Sequence, residues 1–488
     1  MIGPLERTIR LAESRCLGVG PHEPHRYPAL NPNKQLIYNI PGWLDEDVEN
    51  TPPLTKLTSL NDRGPMSTKS ASDTGDAIEF FIARQPILNR HQKLTAYELL
   101  FRRGSFESAD VVNDMVATAT VIAHTSELGL ENVIGTSPGF INVDTKVLMS
   151  DFIRFLPHEK IWLEILETVE VTDELIARVA QLKSEGYRFV LDDVVADSEG
   201  LRRLLPYIDI IKIDILQMSR HALADLFNAL KGSHKMLAEK VESLEDFAFC
   251  HELGFDFFQG YFFARPKILT GKSLHSSQLT VIGVLNMLIA DVETSEIEKA
   301  IKKDASVGLN LMRLVNTPAF MTSERIATLK QAIVILGRRQ LQRWLQILMY
   351  SEPGKADSLM SPLLNLATTR GKLMELMAQK VIPRNQLAAD TAFTVGIMSL
   401  LDTLFGSPMV QLLAQISVAD EVKDALISHT GVYGGMLELI IDLENMSSAG
   451  AMLNASMEKF QLRVEELRAM QIRAFKFSDS IALESGLH

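Results

Sequence analysis

Between residues 79 and 266 short, strongly apolar runs alternate with longer segments of helical period. The runs are EFFIARQPI, LTAYELLF, GFINVD, KIWLEIL, RFVLDDV, IDIIKID, HKMLAEKV and FDFFQGYFF, and amphipathic stretches such as Val112 to Leu128 and Asp173 to Glu185 lie between several of them. Strand-length runs separated by helical spacing are the mark of repeated βα units. Eight such runs within about 190 residues fit a closed (β/α)8-type barrel better than an open sheet.

Past Pro266 the strand pattern stops, and from about Ser276 to Ser456 apolar residues recur at helical spacing, with breaks at Gly337, Pro353-Gly354 and Gly406 to Pro408. The expected architecture is therefore an α/β barrel over 78–272, an all-α domain over 273–475 and a short tail over 476–488. Residues 1–77 are rich in Pro, Asn, Asp, Ser and Thr without a sustained period and read as a mostly disordered extension. Within it, 36–43 could form a short anchor, and Met66 is an alternative start of translation.

The polar residues of the barrel segment fall at the ends of its apolar runs. Glu98 follows LTAY, Asn142 lies in FIN, Glu164 in WLE, Asp192 and Asp193 in VLDD, Lys212 in IIK, Glu239 in MLAE and Gln259 in FFQ. In a closed barrel the C-terminal strand ends converge on one mouth, so residues distant in sequence can form one cluster. Glu98, Asn142, Glu164 and Asp192 offer only hard oxygen ligands, which favours Mg²⁺ or Mn²⁺ over Zn²⁺. Crowded with Asp193, these groups repel one another unless a cation sits between them, and that cation can polarise a phosphoryl oxygen and acidify a bound water. Lys212 adds a positive charge that can hold a phosphate or, with a depressed pKa, help activate the water. Any one of these residues could be a solvated rim group; all of them together are not.

Seven ordered motifs carry a resemblance. Ala83-Arg84-Gln85-Pro86-Ile87, Glu98-Leu99-Leu100-Phe101-Arg102, Asn142-Val143-Asp144, Asp192-Asp193, Lys212-Ile213-Asp214, Ala238-Glu239-Lys240-Val241-Glu242 and Gln259-Gly260-Tyr261-Phe262 through Arg265-Pro266 resemble, in order and spacing, the EAL domain. That family hydrolyses cyclic-di-GMP to linear pGpG. The resemblance implies that Glu98, Asn142, Glu164 and Asp192 hold a first metal and that Asp193 helps bind a second. It further implies that Lys212 and Glu239 activate the water and support the metals, that Gln259 stands near the catalytic water, and that Gln85, Arg102 and Asp214 contact the dinucleotide. A planar guanidinium at 102 can hold two phosphate oxygens at once.

Two departures accompany it. The signature reads Glu98-Leu99-Leu100, a changed apolar side chain beside an intact glutamate. The Phe-Gly-x-Gly-x-Ser loop that usually follows Asp-Asp is replaced by Val194-Val195-Ala196-Asp197-Ser198-Glu199-Gly200. Loss of that turn chemistry is expected to misplace Asp193, enough to cost turnover while sparing binding.

In the helical half, Leu311-Met312-Arg313-Leu314-Val315-Asn316-Thr317-Pro318-Ala319-Phe320 and Gln331-Ala332-Ile333-Val334-Ile335-Leu336-Gly337 resemble the HDOD domain, a relative of HD-type metal phosphohydrolases. Such enzymes chelate cations with several histidines and a His-Asp pair. Only His429 occurs between Ser276 and Ser456, and Gly396-Ile397-Met398-Ser399-Leu400-Leu401-Asp402 stands where the pair would be, so no metal site is expected and Asp402 reads as exposed or capping. Met312, Met349, Met398 and Met436 read as core filler. Arg338, Arg339 and Arg343 with Trp344 read as a solvated basic face or, less favoured, a contact for a partner or a phosphate.

A net charge of −12 argues against DNA as a partner. Cys16 and Cys250 form no metal-binding spacing, and no apolar run is expected to span a membrane, so the chain reads as cytoplasmic. The partners expected are cyclic-di-GMP and an unidentified protein bound through the HDOD-like half, with a homodimer allowed. Two readings stay open: a Mg²⁺- or Mn²⁺-dependent phosphodiesterase regulated by its helical domain, which the complete ligand set favours, and a degenerate binding or adaptor protein, which the altered loop favours.

Overall fold

The computed structural model describes residues 80–103, 130–196, 198–232, 234–264, 276–315, 326–350, 361–444 and 450–486. Residues 36–43, Met66, the whole stretch from Val112 to Leu128, Asp197 and Arg265-Pro266 lie outside the described residues, as does 316–320.

Each apolar run is a strand: β1 (Phe80–Asn89), β2 (Leu94–Arg103), β3 (Gly139–Val143), β4 (Ile161–Ile165), β5 (Arg188–Leu191), β6 (Ile210–Asp214), β7 (Lys235–Glu239) and β8 (Phe257–Gln259) close a barrel in chain order. The barrel departs from a uniform (β/α)8 in one respect. β1 pairs antiparallel with both β2 and β8, while the remaining neighbours are parallel. A tight turn causes this reversal: the Asn89 side chain accepts from His91 N–H and Lys93 N–H, and Gln92 adopts a φ of 56°.

Helices pack outside. Asp173–Ser184 shows why: Thr172 caps its first turn, Asp173 and Glu174 face the positive end of its dipole, and Leu175, Val179 and Leu182 bury one stripe.

Inside, the barrel is filled by tiers. Ile87, Ala96, Phe140, Trp162, Val190, Ile210, Leu237 and Phe257, one from each strand, form an apolar plug. Strand side chains alternate with a period of two, so the residue two positions away on each strand faces the same interior. Those eight residues are Gln85, Glu98, Asn142, Glu164, Asp192, Lys212, Glu239 and Gln259. In reversed β1 the step runs backwards, from Ile87 to Gln85.

The helical half runs from the helix Ser276–Ile289 to the helix Val464–Gly486. Its centre is the pair Pro362–Val381 and Gln386–Met398, which approach so closely that a Cβ on Gly396 would lie 2.7 Å from the Arg370 carbonyl. Residues Gln386–Phe405 are long and apolar enough to cross a membrane, with a mean hydropathy of 1.3, which corrects the expectation that no such segment exists. Burial explains the composition: Ala388, Ala389, Ala392 and the run Phe393 to Met398 are all buried in the helical core. The last helix continues through residues 476–486, so what the sequence set apart as a tail is part of a packed element, with Ser478 and Ile481 buried.

The arginine cluster is also corrected. Arg338 donates to the Val292 and Leu288 carbonyls, Arg339 pairs with Asp390, and Arg343 forms a two-bonded pair with Glu375 at 2.8 and 2.6 Å while lying over the Phe393 ring. The three side chains pin helices together, because a guanidinium can bond two groups and stack on a third. Met349, Met398 and Met436 are fully buried in the core, as expected of filler.

The two halves meet along β1. Arg84 bonds both oxygens of Asp479 at 2.9 and 3.0 Å, donates to the Val133 carbonyl, and lies between the rings of Tyr97 and Phe475. Gln471 donates to the Ile82 carbonyl, Tyr261 to the Glu444 carbonyl, and Thr403 to the Ala264 carbonyl.

Candidate active site

The polar tier above the apolar plug is built around one cation. Lys212 Nζ contacts Glu164, and lies 2.7 Å from Glu239, 3.1 Å from Asp192 and 3.3 Å from Glu98. The amides complete the ring: Gln259 Nε2 donates to Glu98 at 2.5 Å and to Gln85 Oε1 at 3.0 Å, and Asn142 Nδ2 donates to Glu98 at 3.2 Å. Eight of the eleven residues singled out in the sequence thus meet in one layer. They face inward one pleat above the plug: Glu239 and Gln259 end β7 and β8, Asp192 follows β5, and Asn142 and Glu164 stand one residue from the ends of β3 and β4, while Glu98 and Lys212 lie further within β2 and β6.

Four carboxylates surround one ammonium, and the electrostatics follow. Burial and the Glu98 charge hold Glu164 well above the usual carboxylate range, with Lys212 opposing. Burial, with Asp192 and Glu98, pushes Glu239 up to about 8 against Lys212. The sequence reading allowed Lys212 a depressed pKa. Burial does pull it down, but Glu164, Glu98, Glu239 and Asp192 outweigh burial and hold it well above its ordinary value.

Asp193 sits at the edge of this layer with a φ of 42°, a left-handed conformation that Asp tolerates better than most residues. Asp214 lies one pleat above Lys212. Its oxygens accept from Leu216 N–H at 2.9 Å, Gln217 at 3.0 Å and Lys240 at 2.6 Å, and Lys240 in turn stands 4.0 Å from Asp193. Asp214 therefore holds Lys240 beside Asp193. Lys240 was legible only as part of its motif; its left-handed φ of 54° and its pairing come from the fold. Arg102 belongs to β2, opposite Phe81, but its side chain is outside the described residues. Gly260 is forced: at its φ of 141° a Cβ would lie 2.2 Å from the Val241 carbonyl oxygen, so only glycine lets the chain leave β8 against β7.

Asn142 Oδ1, Glu164 Oε2, Asp193 Oδ1 and Gln259 Oε1 are buried without a hydrogen-bond donor. All are oxygens. Glu98, Glu164 and Glu239 form one group whose ligand atoms lie within 4.8 Å of one another, and Asp192, Asp193 and Glu239 form a second. Undonated hard oxygens in two adjoining groups fit divalent cations of the Mg²⁺ or Mn²⁺ kind. In the helical half, Asp402 accepts from Thr403 and His429 lies near Glu438, and among the described residues neither joins a metal-holding group.

The loop after Asp193 keeps part of its turn chemistry. Val194 is buried and its N–H donates to the Lys212 carbonyl, while Ser198 caps the helix Glu199–Leu204 by accepting from Leu201 N–H at 3.1 Å. A serine thus stands one position before the one the family pattern would place at 199; the glycines are replaced by Val195 and Asp197.

The sequence profile of the EAL domain matches residues 70–266 and that of the HDOD domain residues 277–418. The chain belongs to the family of proteins in which an EAL domain is followed by an HDOD domain. The Bacillus subtilis (strain 168) protein YuxH is 32% identical over 379 residues, covering 75% of this chain and 91% of its own. The cyclic di-GMP phosphodiesterase CdgJ of Vibrio cholerae serotype O1 is 31% identical over 407 residues, covering 82% and 93% respectively. Among solved structures, a standalone EAL protein of Vibrio cholerae O395 in its c-di-GMP-bound form is 29% identical over 38% of this chain and 92% of that one, with a TM-score of 0.32.

Proposed function

We propose that the barrel is a phosphodiesterase that opens cyclic-di-GMP to pGpG with Mg²⁺ or Mn²⁺, and that the helical domain regulates it or relays its state to a protein partner. The observation that supports this reading best is the set of buried oxygens left without donors in two adjoining carboxylate groups. Glu98, Asn142, Glu164 and Asp192 would hold one cation, and Asp193 with Asp192 and Glu239 the other. When bound, these ions would supply the charge that polarises the phosphodiester and acidifies a water. Lys212 keeps the carboxylates from mutual repulsion and adds a positive charge close to the reacting phosphate. Gln259 orients Glu98 and leaves its own oxygen free to accept from a water, and Gln85 and Arg102 would face the dinucleotide. CdgJ, named as a cyclic di-GMP phosphodiesterase, is similar along both domains.

The test is to incubate the purified chain with cyclic-di-GMP and Mn²⁺ and separate the products. Appearance of pGpG that stops with EDTA is the expected result. The altered segment Val194 to Ala196 supports the second reading, a binding or adaptor protein; tight nucleotide binding with no pGpG under any divalent ion would select it.

A further inference from the structure

A cavity of about 100 Å³ lies where the outer faces of β1 and β2 meet the helical half. Its wall is mainly apolar, built from Leu364, Leu373, Ile440, Leu443 and Phe475. Among the polar groups that break that wall, the Tyr97 hydroxyl has only Asn365 beside it, and Thr369 Oγ1 and Gln471 Oε1 have no partner. Their residues are 2%, 9% and 4% exposed, so bulk water does not reach them freely. Buried polar atoms are nearly always paired, so two orphans and an under-bonded hydroxyl around one cavity call for an occupant.

The fold prevents Thr369 and Gln471 from being paired internally and holds Tyr97 in place. A helical threonine usually bonds back to the carbonyl of the preceding turn, but the Asn365 carbonyl already accepts from Thr368 Oγ1 at 3.1 Å and Ser478 Oγ at 3.0 Å. Gln471 spends its Nε2 on the Ile82 carbonyl, which fixes the amide and turns its oxygen to the cavity. The Tyr97 ring is held beneath the Arg84 guanidinium at 4.4 Å.

We propose that this cavity is a ligand site for a neutral, largely apolar small molecule carrying one hydroxyl. The hydroxyl donates to Gln471 Oε1 or Thr369 Oγ1 and accepts from Tyr97, while the remaining atoms cover the leucine and phenylalanine wall. The size limits it further: an apolar cavity of about 150 Å³ takes up benzene, so one of about 100 Å³ holds roughly four non-hydrogen atoms. Neutrality follows from the two charged residues that reach the wall. Arg84 is spent on Asp479 and Glu444 on Arg370, so an ionised head would be buried without a counter-charge. The site sits well for an input. Arg84 and Tyr97 face it, and their chain neighbours Gln85 and Glu98 face the barrel interior; on the phosphodiesterase reading above, occupancy would be felt at the reacting groups.

The probes are 2-propanol and isobutane, each of four non-hydrogen atoms and different in the hydroxyl, titrated into the full chain and followed by ligand-observed NMR, with acetate, of the same size, as the charged control. Saturable binding of one 2-propanol is expected, with isobutane about fivefold weaker and acetate weaker by tenfold or more. Thr369→Val, which keeps the shape, should weaken 2-propanol about fivefold and leave isobutane unchanged; Leu443→Trp, which fills the cavity, should abolish both. Thr369→Val decides the matter should Leu443→Trp not fold. No saturable 2-propanol binding by the folded chain, or 2-propanol binding untouched by Thr369→Val, would overturn the proposal. Neither result depends on whether the barrel hydrolyses cyclic-di-GMP.

Discussion

Both halves of the molecule bury charge, and they do so in opposite ways. In the helical half the described arginines that reach the core are matched: Arg370 bonds both oxygens of Glu444 and also Ser399, and the partly buried Arg343 bonds both oxygens of Glu375. In the barrel four carboxylates share one lysine, and Glu164 Oε2 and Asp193 Oδ1 are left over. Matched pairs hold a fold together. An excess of one sign, kept where it opposes folding, is the signature of a site that another charge completes.

The sharpest break in that contrast comes from removing one charge on each side. Glu164→Gln should cut pGpG formation by about 10³-fold, or roughly 4 kcal/mol of barrier, because a ligand is lost from the middle of the layer. The same variant should melt no earlier than wild type in EDTA, since one of several repelling carboxylates is gone. Arg370→Met should do the reverse. Stranding Glu444 in the core is expected to cost about 3 kcal/mol of folding stability, read by urea denaturation. A Glu164→Gln protein that is fully active, or an Arg370→Met protein of unchanged stability, would erase the distinction.

The next effect is smaller and tests completion directly. Mn²⁺ at about 100 times its dissociation constant should stabilise the folded chain by about 2.7 kcal/mol, through linkage to the native state. Thermal denaturation should show the shift in wild type, lose it on adding EDTA, and show little of it in Glu164→Gln. An equal shift in that variant would place the stabilising ion elsewhere.

The sequence revealed the barrel because a closed sheet repeats the same demand eight times, and it revealed the site because period-two alternation puts Glu98, Glu164 and Lys212 on the face that carries the plug. The strand-end pattern located most of the site residues, Glu239 and Gln259 ending β7 and β8, while the shared tier explains Glu98 and Lys212, which lie deeper in β2 and β6. The reversal of β1 was hidden, since alternation looks the same in either direction and only the Asn89 turn sets the sense. The arginines at 338, 339 and 343 looked like a surface feature because helical spacing does not tell which long side chains find carbonyls and carboxylates on other helices. The pairing of Arg84 with Asp479 spans nearly the whole chain, and no local pattern announces it.

The smallest expected effect concerns the loop after Asp193, where the barrel's unmatched charge meets altered turn chemistry. Asp193 holds a left-handed φ of 42° and one undonated oxygen, and the next residue is tied down by burial of Val194 and its N–H bond to the Lys212 carbonyl. Restoring Phe-Gly-x-Gly-x-Ser across Val194 to Glu199 returns glycine's freedom to positions 195 and 197, so Asp193 can settle around a cation instead of following a stiff loop. The kcat should rise by up to about tenfold with KM little changed, because an interaction strengthened mainly in the transition state lowers the barrier without equally tightening the substrate. The change also has a measurable disadvantage. It moves the serine from 198 to 199, away from the position whose hydroxyl accepts from Leu201 N–H, and losing that cap should lower stability by about 1 kcal/mol. Keeping Ser198 and changing only Val195→Gly separates the two effects: a rise in kcat without the stability loss is the outcome expected. A chimera that loses stability and gains no rate would mean that Asp193 is already well placed, and that the barrel's charge imbalance needs no help from its loop.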